Sequence, residues 1–175
     1  AIIIEASNEM KSSPKNMNCI PNAKLVPYAR DFSVDWSRQP PETYRAHVDS
    51  KGRGFFERFE SALGHKNGTE NTFNTFGTAS GIRDGFAKLA MIGWLIDDFA
   101  DNRGHRKAML DPRWNFFGMG IEVHDDKCYG TLWMAATVPG AQNPTAHNPS
   151  PQNPVPANLN STPSNAANIK DTVLW

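Results

Sequence analysis

Cysteine is scarce in this chain: two among 175 residues, Cys19 and Cys128. One pair permits a single bridge, which excludes a disulfide-stapled scaffold and leaves buried thiols as an equal reading. Nothing brings the two within the roughly 7 Å Cα separation a bridge tolerates, so none is expected. Long apolar runs are missing as well. No stretch reaches the roughly 18 residues of a membrane span. The opening "AIIIEA" is too short for a secretory h-region and lacks its basic flank. The sequence starts on Ala, so it reads as processed or trimmed. A surplus charge is the third absence: 18 Lys and Arg face 18 Asp and Glu, with no Lys/Arg-rich run. Phosphate neutralisation needs a basic surplus or patch, so no nucleic-acid partner is expected.

What is present divides near residue 139. Hydrophobic residues make up 39% of the chain, enough to pack one domain over 1–138. Beyond it, "PGAQNPTAHNPSPQNPVPANLNSTPSNAAN" has little apolar bulk, and Asn-Pro recurs at 143–144, 148–149 and 153–154. Proline fixes φ and pushes its predecessor toward extended backbone. The segment 139–175 is therefore expected to be an extended, Pro/Asn-rich tail without a core of its own, a linker or a strap laid along partner chains or along its own domain. The closing "IKDTVLW" regains apolar character. Two sequons, Asn67-Gly68-Thr69 and Asn160-Ser161-Thr162, weigh slightly toward an extracellular or secreted protein.

Within the domain, residues 2–11 suit a first helix, although the Ile triplet also suits a strand. Residues 23–37 place Leu25, Ala29, Phe32 and Trp36 at helical spacing, with Pro27 in the first turn where proline is tolerated. Residues 54–63 put Phe55, Phe59 and Ala62 on one face. Residues 82–97 align Ile82, Phe86, Leu89, Gly93 and Ile96 along one stripe. "FFGMGIEV" (116–123) and "YGTLWMAATV" (129–138) are rich in aromatic and β-branched residues, and "HDDKC" between them reads as a hairpin turn. Helices first and antiparallel strands later predict an α+β fold.

The order of several motifs resembles a known family. "WLIDDFADNRGHRKAMLDPRWNFFGMGIEV" followed by "YGTLWMAATV" looks like the second half of a CAP-superfamily domain: the cysteine-rich secretory protein, antigen 5 and pathogenesis-related 1 group, in its microbial SCP-like branch. Phe99 stands where that branch's signature has glycine. "HVDSKGRGFFERFESALG" is similar to the branch's "H…S-D-G…-R-I" segment, and "GTEN" (68–71) to the "GEN" motif. The resemblance spans roughly 2–138 and is strong from about 44 to 137.

It implies an α-β-α sandwich with a cleft holding two histidines and two acids. Matched residue by residue, these are His47, Glu70, Asp97 (three residues after the helical Trp94) and His105, with Asp98 the competing choice for the second acid. Two imidazoles and two carboxylates suit a borderline divalent ion such as zinc, with His47 and His105 the first candidates as metal ligands. An open position on such an ion activates water. Without metal, a His–carboxylate pair acts as a general base. Neither cysteine nor a serine falls in these motifs to serve as nucleophile, so no catalytic residue is assigned. The blander readings are a solvated His47, a Glu70 that caps the segment after it, and acids that only end a helix, where they oppose its dipole. Arg103 and Arg106 are expected to pair with nearby aspartates. His65 lies in a Gly-flanked turn and His124 in the hairpin. The expected function is a secreted binding module for a lipid-like ligand or protein partner. The alternatives are a metal-dependent, peptidase-like hydrolase using the same cleft, and a structural subunit whose cleft is vestigial.

Overall fold

The structure is a computed structural model that describes residues 2–13, 19–76, 79–97 and 102–144, with only the backbone at 79–84. Element order is α1 (Ile2–Ser12), β1 (Ile20–Pro21), α2 (Leu25–Arg38), α3 (Phe55–Leu63), β2 (Gly68–Phe76), α4 (Ala79–Ile96), α5 (Gly104–Leu110), β3 (Phe116–His124) and β4 (Lys127–Ala135). The strands form one mixed sheet in the order β1-β3-β4-β2. The fold is α+β. No described helix is long and apolar enough to cross a membrane.

The four expected helices form. α2, α3 and α4 each bury an apolar stripe, in α4 Phe86, Ala90 and Trp94 with Leu89 of the expected stripe exposed. By contrast, α1 buries only Ala6 and leaves Ile3 and Ile4 exposed. Along α2, Leu25, Ala29, Phe32, Ser33 and Trp36 face inward. Its approach to the sheet is unusually close. A Cβ on Gly120 would lie 2.1 Å from the Arg30 backbone nitrogen, and one on Gly118 2.5 Å from the Leu25 Cβ. The two glycines of "FFGMGIEV" therefore carve the seat of α2, and Ser33 Oγ reaches through it to Thr131 Oγ1 at 2.8 Å. In α3 the Gly54 N–H donates to Glu57 Oε2 at 2.7 Å, and Gly64 ends the helix at φ 79°.

Residues alternate along β4, and so do the cores they join. Trp133 and Ala135 pack with Leu25, Ala29, Phe55 and Phe59 under α2 and α3. Leu132 and Met134 pack with Phe86, Ala90, Trp94 and Trp114 under α4 and the segment after α5. A pleat puts successive side chains on opposite faces, so the sheet has a core on each side.

Three elements differ from expectation. β2 is a full nine-residue strand lying between helices in sequence, paired antiparallel to β4 from Gly68↔Ala135 to Phe76↔Lys127. α5 and the two-residue β1 were not anticipated. The hairpin turn tightens to Asp125-Asp126, with His124, Lys127 and Cys128 drawn into the strands. Both cysteines are free thiols: Cys128 is buried, and burial pushes the Cys19 thiol up to about 11. Past the expected domain boundary, Pro139 O accepts from Lys24 Nζ at 2.8 Å, and Ala141 packs on the α2/α3 core. Residues 139–144 form neither helix nor strand. The rest of the Pro/Asn-rich segment lies outside the described residues.

Candidate functional site

The edge strand β2 sets up the first His–acid pair. Glu70 sits opposite Trp133 in the register, which turns its carboxylate toward the α2/α3 core, and its side chain is only 1% exposed. A carboxylate buried that deeply needs compensation. Arg58 supplies it: Nη2 lies 2.8 and 3.0 Å from the two Glu70 oxygens. Trp133 Nε1 donates to Glu70 Oε2 at 2.7 Å. His47 Nδ1 completes the set, 3.0 Å from Oε1. Arg58 is itself buried, its guanidinium 3.8 Å above the Phe32 ring, and Nη2 also donates to the His47 carbonyl at 3.2 Å. His47 has φ 65°, a left-handed conformation uncommon for a residue with a side chain. The loop is thus held at its backbone by Arg58 and at its ring by Glu70. Burial raises the nearby Tyr44 phenol above its ordinary range; a hydrogen bond with Thr72 opposes this and the Glu70 charge adds to it.

The second pair lies one residue along β2 and on the sheet's other face. Asn71 points to the α4/α5 side, where its Nδ2 donates to the His105 carbonyl at 3.2 Å. His105 Nδ1 is 2.7 Å from Asp97 Oδ1, and the Arg106 N–H donates to Asp97 Oδ2 at 3.1 Å. Asp97 is fully buried, just past the end of α4, with φ 52°. Arg103, the residue before α5, has φ 54°. The tight passage between α4 and α5 thus places left-handed backbone on Asp97 and Arg103. Asp98 lies outside the described residues.

In both pairs a carboxylate takes the imidazole Nδ1, so the neutral ring carries its proton on Nδ1. The His47 side chain is 37% exposed and that of His105 21%, so neither ring is sealed from solvent. Such rings can accept a proton or a hydrogen bond from a bound molecule. Neither pair includes Ser, Thr or Cys. The carboxylates are already filled by donors of the protein itself. Among the described residues no three His, Cys, Asp or Glu side chains gather as a metal-holding group. A divalent ion ligated by His47, Glu70, Asp97 and His105 together does not fit this donor set.

The remaining histidines have other roles. His65 accepts from the Asn67 N–H at 3.2 Å, lies 3.1 Å from Thr137 Oγ1 and meets the Phe59 ring edge-on. His124 ends β3. Among the described residues Arg103 and Arg106 pair with glutamates of α1, while the neighbouring Asp98 and Asp101 lie outside the described residues. Arg103 Nε lies 3.2 Å from Glu5, and the fully buried Arg106 reaches Glu9 at 3.0 Å and Glu5 at 3.3 Å. Arg58, Asn71 and Trp133 were missed. The available signal was Arg58 itself, a charge within the Phe55–Phe59–Ala62 stripe of α3, which a packed helix carries inward only with a partner.

No protein-family model matches this chain, and no curated protein matches it. Among solved structures it is similar to an outer surface protein from Borrelia burgdorferi, at 12% identity and a TM-score of 0.45, over 77% of this chain and 90% of that one. A likeness at that level carries no argument about function.

Proposed function

We propose that this chain is a CAP-type domain, an α-β-α sandwich of the SCP-like branch, that works as an extracellular binding module. In this reading it holds a lipid-like ligand or a partner protein against the rim of β2 and does not turn over a substrate. One observation carries the proposal. Of the four residues the resemblance assigns to one cleft, His47 lies 3.0 Å from Glu70 and His105 2.7 Å from Asp97, although they come from four separate segments. Both carboxylates are consumed in orienting the rings, and neither pair holds a nucleophile. That favours recognition at the solvent-facing His47 ring over covalent catalysis.

The hydrolase alternative supplies the test. Fluorescein-labelled casein incubated with the intact chain, with and without added zinc, is expected to release no more peptide than buffer does. Dansyl-labelled palmitate, titrated in parallel, is expected to bind saturably and to bind more weakly to His47→Ala and His105→Ala. Peptide release that His47→Gln abolishes would contradict the binding reading and favour the hydrolase.

A further inference from the structure

A feature that the histidine pairs leave unused is a groove along α2. Its central cavity, about 380 Å³, is bounded by Tyr28, Phe32, Arg58 and Trp133 and rimmed by Asp31 and Asp35. At Tyr28 and Ala62 it meets a cavity of about 370 Å³ that extends to Lys24 and Pro139. At Asp31 and Asp35 it meets another of about 400 Å³ that reaches Arg38, and this joins a fourth of about 660 Å³ at Gln39 and Ser50. The run follows α2, whose 14 residues rise about 21 Å at ~1.5 Å each. His47 and His105 line none of these four cavities.

Three properties define what the groove can hold. Its charges are mixed and mostly satisfied. Asp49 is bound by Arg53 at 2.8 Å, and Asp35 accepts from the Ser50 N–H at 2.8 Å, from the Ser50 hydroxyl and from Gln39 at 2.7 Å. An anionic chain would meet Asp31, Asp35 and Asp49; a cationic one would meet Lys51, Arg53 and Arg58. Asp31 and the Lys51 ammonium make no hydrogen bond or ion pair among the described residues, so one acceptor group and one donor group stand ready at the rim. Second, Tyr28 is 39% exposed and stacks at 5.8 Å and 14° on the buried Trp133, so its outer ring face is a platform for a flat apolar surface. Third, Arg58 lines the central cavity with a side chain only 7% exposed, yet its Nε and Nη1 are buried with no partner among the described residues. Buried donors call for an acceptor, and a hydroxyl seated at the cavity floor supplies one.

We infer that this groove is a binding site for a neutral oligosaccharide, one ring stacked on Tyr28 and hydroxyls shared among Asp31, Lys51 and the cavity floor at Arg58. An extended peptide fits less well. The walls are helices and the 45–54 loop, so there is no free strand edge to pair with its backbone. A polyol needs only side-chain donors and acceptors. The inference goes beyond the proposed role of the histidine pairs and shares with them only Arg58 and Trp133.

The test titrates the intact chain with chitotriose, cellotetraose and xylotetraose, followed by calorimetry and tryptophan fluorescence. A heparin tetrasaccharide and penta-alanine serve as charged and peptide probes. Saturable binding of at least one neutral oligosaccharide is expected at millimolar concentration or below, with a change in Trp133 emission. Tyr28→Ala and, separately, the milder Asp31→Asn should each weaken it about tenfold or more. Three results would overturn the inference: no binding by any of the three neutral probes, binding that Asp31→Asn and a folded Tyr28→Ala leave unchanged, or binding confined to the heparin fragment or the peptide.

Discussion

The two histidine pairs use the same contact and are held in different ways. At His47–Glu70 the buried carboxylate is balanced by a side chain, the Arg58 guanidinium, which is itself stacked on Phe32. At His105–Asp97 the carboxylate is balanced by main chain: the Arg106 N–H donates to it, and the nearby guanidinium of Arg106 goes instead to Glu9 and to the Ile96 carbonyl. The first pair therefore depends on one long-range ion pair in the α2/α3 core. The second depends on the backbone path from α4 to α5. A His–acid contact seen in isolation does not reveal its own stability; what compensates the acid does.

The sharpest way to break this comparison is to remove the compensating group. Arg58→Met leaves Glu70 buried without its cation, and removing one partner of a buried pair costs about 3–5 kcal/mol. Urea unfolding should register that loss. The double substitution Arg58→Met with Glu70→Gln should recover part of it, because no uncompensated charge remains. Asp97→Asn is expected to cost less, about 1.5–3 kcal/mol, the range for a hydrogen bond to a charged group. Asn keeps an oxygen for the Arg106 N–H and tolerates the left-handed backbone at position 97. If Asp97→Asn proved the more damaging of the two, the assignment of main-chain support would be wrong.

How much of this could be read beforehand depends on what kind of signal each piece leaves. The helices α2 to α4 and the β3–β4 hairpin showed in the apolar spacing, and the opening Ile triplet suited helix and strand alike. The order of motifs named His47, Glu70, Asp97 and His105 as one set without assigning an acid to each ring. β2 left only a weak strand signal after "GTEN", because its buried positions Glu70 and Asn71 are polar and "GTENTFNTF" lacks the alternation that marks a half-buried strand. The seven residues of α5 are too few to show a period. The partners of Arg103 and Arg106 lie on α1, close to a hundred positions away, where only the fold brings them near. The groove along α2 is likewise assembled from α2, α3 and a loop, with no contiguous motif.

Smaller effects sharpen the contrast between the groove and the pairs. Burial pushes the Asp35 carboxyl up, but its hydrogen bonds from Ser50 and Gln39 and the Arg58 charge bring it below its ordinary value on balance. A depressed folded value means the stabilisation is present above the unfolded carboxylate range, near 4, and is lost as pH falls through the lower folded value. Melting temperatures of wild type and Asp35→Asn should differ at pH 7 and converge on acidification; a gap that widens toward low pH would reverse the sign. At pH 8, Cys19 should react slowly with iodoacetamide, since a thiol near 11 is almost wholly protonated, and both cysteines should label once urea unfolds the chain. A chain that stays unlabelled in urea without reductant would mean a disulfide.

The most direct test is the histidine nitrogen spectrum. Long-range ¹⁵N–¹H correlation of the imidazoles, recorded for wild type, Glu70→Gln and Asp97→Asn, reports the tautomer and the Nδ1 hydrogen bond of each ring. The neutral rings of His47 and His105 are both expected to carry the proton on Nδ1. Glu70→Gln should move mainly His47, and Asp97→Asn mainly His105, because each acid serves its own ring. Rings that populate the Nε2–H form as free imidazole does, or a Glu70→Gln spectrum in which His105 shifts more than His47, would contradict the account of two separately held pairs.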